Sequence, residues 1–193
     1  MLRRLYEWTL ARAAHPRAER WLAFISFIES SFFPIPPDVL LAPMCLASKE
    51  KCFRFAFVTT AFSVLGGLLG YLIGLSLFDT IGEWIIVAYG LQHEFGEFAE
   101  AFNEQGAIIV FLAALTPLPF KVITIAAGAT QMPLLALVAA SIVGRGARFY
   151  LVALLLWKFG PPMKRLIDRH FGLVTTAFGL LAVGGFIAVK YLV

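Results

Sequence analysis

The stretch that most limits what this chain can fold into is Phe24 to Ala47, FISFIESSFFPIPPDVLLAPMCLA, an apolar run broken in its middle by prolines. Pro34, Pro36 and Pro37 lack a backbone N–H and fix φ near about −65°, so no continuous helix passes through PIPP. The arm before the break is about ten residues, or roughly 15 Å of helix, half of a hydrocarbon core about 30 Å thick. Two half-length arms around a proline tip predict a re-entrant hairpin that enters and leaves by the same face. One proline-kinked spanning helix is the alternative. Glu29 lies before the break and Asp38 just after it. Irregular backbone at membrane depth is tolerated only where it is buried in protein or lines a wet cavity.

The chain as a whole is too apolar for a soluble domain. It has 193 residues, 60% hydrophobic and 15% aromatic, with a mean hydropathy of +0.84, so a polytopic membrane protein is expected. No Ser- or Gly-rich linker divides it, and one membrane domain, 1–193, is expected. The net charge of +4 reflects where basic residues sit along the topology and does not point to nucleic acid. Cys45 and Cys52 stand seven apart with no further Cys or His cluster, which reads as neither a metal site nor a disulfide framework. His15, His93 and His170 are scattered, so no metal and no cofactor is expected. No signal-peptide cleavage pattern is visible.

Charge along the chain sets the expected topology. Residues 1–21 carry Arg3, Arg4, Arg12, Arg17 and Arg20 beside Leu2, Leu5, Tyr6, Trp8 and Leu10, which suits a basic interfacial helix. Lys49, Lys51 and Arg54 follow the first hairpin (24–47). Both of its flanks are therefore basic and belong on the cytoplasmic side. Residues 56–78 form an uncharged span with Gly66, Gly67, Gly70 and Gly74 on a smooth face expected to pack against the hairpin. Residues 79–106 carry six acids and no Lys or Arg. Phe95, Phe98 and Phe102 recur there at helical spacing, as in an interfacial helix on the outer side.

Residues 107–132 then repeat the opening pattern. Pro117-Leu-Pro119 mirrors Pro34-Ile-Pro36, and the same offset of 83 carries Asp38 onto Lys121. A second re-entrant hairpin followed by a second span (134–157) predicts an all-α inverted repeat, an architecture of many secondary transporters. A cytoplasmic loop around Gly160-Pro161-Pro162 and a last transmembrane helix at 172–192 complete the expected topology, with the C-terminus outside. Arg145 and Arg148 fall near the centre of 134–157, three apart and so on one helix face. Arg at mid-membrane costs at least about 2.5 kcal/mol, so both need partners or water.

Glu29 with Pro34, Pro36 and Asp38; Gly66, Gly70, Tyr71 and Gly74; the acidic-aromatic segment before a second proline hairpin; and Gly144 followed by Arg148-Phe149-Tyr150 together resemble the DedA family of SNARE-associated, or VTT-domain, membrane proteins. The short YqaA-like branch fits best. The resemblance runs from about Phe24 to Trp157. It implies two facing re-entrant hairpins and movement of lipids across the bilayer, as flippase or scramblase, with Glu29, Asp38 and Arg148 tied to function. The chain departs from the family where arginines flank the second-hairpin proline, since Ala114 and Phe120 stand at those places.

Read as chemistry, two acids meet three bases in the apolar part of the chain. Arg145, Arg148 and Lys121 suit a phosphate headgroup, Arg with forked donors and Lys with a point charge. Glu29 and Asp38 would gate the site or take up and release a proton. The expectation is a transporter of a phosphate-bearing lipid, either polyprenyl phosphate or phospholipid, in the bacterial inner membrane, with membrane lipids as partners. An assembly factor holding the charges as internal ion pairs is the second reading. An enzyme is not expected, because Ser30, Ser31 and Asp38 have no accompanying His. Asp38 and Lys121 are expected to face each other where the two tips meet.

Overall fold

The computed structural model describes residues 17–31, 36–90, 92–116 and 120–169, the last nine by backbone alone. The basic segment up to residue 16, the tip residues Pro34, Pro117 and Pro119, and the expected span 172–192 lie outside the described residues. Those described form helices and turns, with no strand. The helices are α1 (Ala18–Ser31), α2 (Asp38–Ala47), α3 (Cys52–Leu77), α4 (Glu83–Tyr89), α5 (Gln92–Leu115), α6 (Phe120–Ala129) and α7 (Leu134–Arg169).

The prolines act where the sequence places them. α1 is described as far as Ser31, Pro36 is non-helical, and α2 begins at Asp38 directly behind Pro37, whose φ of −66° already suits a helix start. Among the described residues two helical stretches, Lys49–Thr80 and Leu134–Gly160, are long and apolar enough to cross a membrane. α2 and α6, with 10 residues each, reach only about 15 Å. One expected boundary moves. α5 runs unbroken from Gln92 to Leu115, so the acidic-aromatic stretch and the arm before Pro117 are a single helix. Gly106 does not break it because its bare backbone receives the Met132 side chain. A Cβ there would lie 3.1 Å from Met132 Sδ. A second difference is at Gly160: Phe159 is non-helical (φ −116°, ψ 18°), so α7 is two helical stretches joined at a kink, the second running to Arg169 where a loop was expected.

α3 and α7 pack on each other, and each also packs on both parts of the rest. α3 lies against α1 and α6, and α7 lies against α5 and α2. Glycines set how close these helices come. A Cβ at Gly66 would fall 2.1 Å from the Phe27 carbonyl oxygen of α1, and one at Gly144 would fall 2.8 Å from that of Phe111 in α5. Gly74 and Gly128 make a reciprocal crossing of α3 with α6: a Cβ at either would fall 2.0 Å from a facing carbonyl oxygen, of Ile125 or Tyr71 respectively. The four glycines of α3 thus pack against α1 and α6 together, not against the first hairpin alone.

The flanks of each proline break converge. Arg54 Nε donates to Glu19 Oε1 at 2.8 Å, bringing the start of α1 to the start of α3. Lys49 lies over the Trp157 ring at this same end, 5.5 Å from its centroid. Past the other break, Asn103 Nδ2 donates to the Thr130 carbonyl at 2.9 Å and Tyr71 OH to that of Met132 at 2.9 Å, at the end of the molecule where α3 finishes. Cys45 and Cys52 correct the sequence reading: they form a disulfide across the turn from α2 to α3. The Lys49–Lys51 turn folds the chain back so that residues seven apart meet, with their Cα atoms 4.6 Å apart.

Candidate functional site

The site forms where α1, α2, α6 and α7 come together beside α3. Glu29 is near the end of α1, Asp38 opens α2, and Phe120 and Lys121 open α6. Arg145 and Arg148, one turn apart on α7, reach the two acids. Arg145 Nη2 donates to Glu29 Oε2 at 3.5 Å, and Arg148 Nη2 donates to Asp38 Oδ2 at 2.5 Å. Arg148 also donates through Nη1 to the Thr116 carbonyl at 2.8 Å. That carbonyl ends α5, where the helix dipole favours a cation, just as the start of α2 favours the carboxylate of Asp38. At these two helix ends, of α5 and of α2, the partial charges match Arg148 and Asp38.

The two arginines differ. Arg148 is gripped by a short bond and a carbonyl. Among the described residues Arg145 is the largest fully buried side chain, 1% exposed, yet its ion pair is long and its Nε has no hydrogen-bond partner there. Its guanidinium lies instead over the Phe120 ring, with Cζ 4.2 Å from the centroid, and Phe149 stands 5.6 Å away. A guanidinium offers five N–H donors, so Arg145 has capacity for an acceptor that the described residues do not supply. Lys121 is half-buried on the first turn of α6 and has no ion pair among the described residues. The expected facing of Asp38 and Lys121 is therefore not the pairing found; Asp38 is held by Arg148. Pro36 and Pro37 directly precede Asp38, with Pro37 buried.

A buried seam of hydroxyls was not recognised in the sequence. Ser30 Oγ donates to Glu29 Oε2 at 3.0 Å and lies 2.7 Å from Ser63 Oγ. Ser31 Oγ donates to the Gly66 carbonyl of α3 at 3.1 Å. Other hydroxyls of the seam satisfy themselves on their own helix, as Thr59 does on Phe55 and Thr60 on Ala56, each at 2.8 Å. Small hydroxyl residues read as apolar-tolerant filler because a helix can absorb them through the carbonyl four residues back. Spacing was the available signal, since Ser63, Gly66, Gly67 and Gly70 share one side of α3. Among the described residues no group of His, Cys, Asp and Glu could hold a metal ion.

A family model for the VTT domain matches residues 35–158. The chain belongs to the VTT-domain, or DedA, family. The match covers all but the first arm of the site, including Asp38, Lys121, Arg145 and Arg148. A protein of Haemophilus influenzae is 39% identical over 168 residues, 85% of this chain and 87% of that one. A protein of Histophilus somni is 41% identical over 169 residues, with the same coverage of 85% and 87%. Both are described as uncharacterized. No solved structure matches the chain. In this VTT domain the two places noted as departures are packing positions. Ala114 is fully buried, with its methyl 2.6 Å from where a Cβ on Gly144 would stand, and Phe120 lies beneath Arg145.

Proposed function

We propose that this VTT-domain protein is a multi-pass transporter of a phosphate-bearing lipid, flippase- or scramblase-like, in the bacterial inner membrane. One observation carries the reading: a wholly buried arginine whose ion pair is long and whose Nε has no partner among the described residues. A buried donor without an acceptor is expensive, and an entering oxyanion would relieve it. The substrate class is a polyprenyl phosphate or a phospholipid. Lys121 supports the same assignment, since a cation on the first turn of a helix lies against the positive end of the dipole and is eased by an anion. Glu29 and Asp38 hold the arginines until the headgroup arrives, then gate the site or take up a proton. No enzymatic step is part of this reading.

The same reading includes the architecture. We infer that the two proline breaks are the tips of re-entrant hairpins entering from opposite faces and related as an inverted repeat. Three observations support this: the short lengths of α2 and α6, the meeting of each hairpin's flanks at opposite ends of α3, and the exchange of packing partners between α3 and α7.

A second reading, a structural or assembly factor, is favoured by the ion pairs themselves, since both acids already have partners. The test is reconstitution into liposomes with fluorescent polyprenyl phosphates, phospholipids and an uncharged glycolipid. Wild-type protein should move a phosphate-bearing lipid and not the uncharged one. The matched change Glu29→Gln with Arg145→Gln should stop that movement while the protein stays folded. Equal movement of the uncharged lipid, or full activity in the matched variant, would rule the transporter reading out.

A further inference from the structure

Arg145 rests on an aromatic residue that carries no charge. Phe120 opens α6 immediately after the second proline break and is fully buried. Its ring fits there because Gly67 of α3 has no side chain: a Cβ would lie 2.9 Å from Phe120 Cε1 and 3.3 Å from its Cζ. Three elements thus build one seat, with α3 supplying the gap, α6 the ring and α7 the cation. A cation over an aromatic face is attracted by the ring quadrupole, more strongly when water is excluded. The guanidinium carbon lies over this ring, 4.2 Å from its centroid, and a ring offers no acceptor of the carboxylate or carbonyl kind to compete for the N–H donors. One of its donors, Nη2, reaches Glu29 at 3.5 Å, and Nε has no partner among the described residues.

We propose that Phe120 is a positioning residue for anion recognition. Its ring holds the Arg145 cation from below, so the charge stays seated when its donors leave Glu29 for a phosphate oxyanion. A hydrogen-bonding residue in its place would compete for those donors, whereas a ring leaves every donor available. An aliphatic residue would fill the gap without holding the cation. The choice of an aromatic here is therefore a feature of binding and not only of packing. The proposal rests on the phosphate-bearing ligand of the preceding reading but not on transport.

The test separates shape from charge. Mono-, di- and trifluorinated phenylalanine at position 120 weaken the ring quadrupole stepwise at nearly constant shape. The same series at Phe102, buried at 2% exposure, controls for the size of fluorine. The probe is dodecyl phosphate, titrated against the purified full chain and read by the rise in Tm. Wild-type protein should be stabilised. The apparent Kd should climb with each fluorine at position 120, reaching about tenfold for the trifluoro ring, and stay level in the control series. Phe120→Leu should weaken binding at least as much. Affinity indifferent to fluorination at 120, or an equal response at 102, would overturn the proposal, as would wild-type protein that binds no dodecyl phosphate. Binding that follows fluorination in a protein that moves no lipid would uphold Phe120 and defeat transport alone.

Discussion

Replacing Asp38 with Asn removes the charge opposite Arg148 while keeping the shape at the start of α2. Its carboxylate receives Arg148 Nη2 at 2.5 Å, and the two side chains are 23% and 11% exposed. Breaking a fully buried ion pair costs about 3 to 5 kcal/mol. A lone hydrogen bond to a charged group is worth about 1.5 to 3 kcal/mol. Partial exposure of Asp38 puts the expected loss between these, at about 2 to 3 kcal/mol, because Arg148 keeps the Thr116 carbonyl and gains some water. Arg148→Gln should cost a similar amount. The double variant should cost clearly less than the sum, with a coupling of about 2 kcal/mol. Reversible unfolding in mixed micelles, followed by helical circular dichroism as SDS is raised, measures each corner of the cycle. A parallel cycle with Lys121→Gln should be additive within about 0.5 kcal/mol. If Asp38 couples more strongly to Lys121 than to Arg148, the pairing described for this site is wrong.

Three further outcomes test the framework around it. Gly128→Val should abolish a monodisperse peak in size-exclusion chromatography, since even a Cβ would lie 2.0 Å from the Tyr71 carbonyl oxygen. Gly96→Ala, with nothing within 4 Å, should leave that peak unchanged and raise stability by up to about 1 kcal/mol. Denatured protein should take up no iodoacetamide until a reductant is added and two groups afterwards, read by intact mass, because the chain has two cysteines and they are joined. Uptake before reduction would contradict the bridge between α2 and α3.

Much of this chain was decided locally. Proline has no N–H to give, so the interruptions beside Asp38 and before Phe120 follow from the residues themselves, as do the two long apolar helices and the placement of Arg145 and Arg148 on one face. Glycine spacing on α3 announced close approach without saying to what. The partner was a tertiary matter, because Gly66 meets α1 while Gly74 meets α6, which is far along the chain. Ion pairing was likewise beyond the sequence. An offset of 83 put Asp38 and Lys121 at equivalent positions, but equivalence in a repeat does not require contact. Arg148 reaches Asp38 because α7 packs on α2 and has a longer side chain to offer. The disulfide escaped because spacing alone does not show whether a turn brings two cysteines within bonding reach. Phe120 shows the limit most plainly: in the sequence it is one of 19 phenylalanines, and only the meeting of α3, α6 and α7 makes it the floor beneath a buried charge.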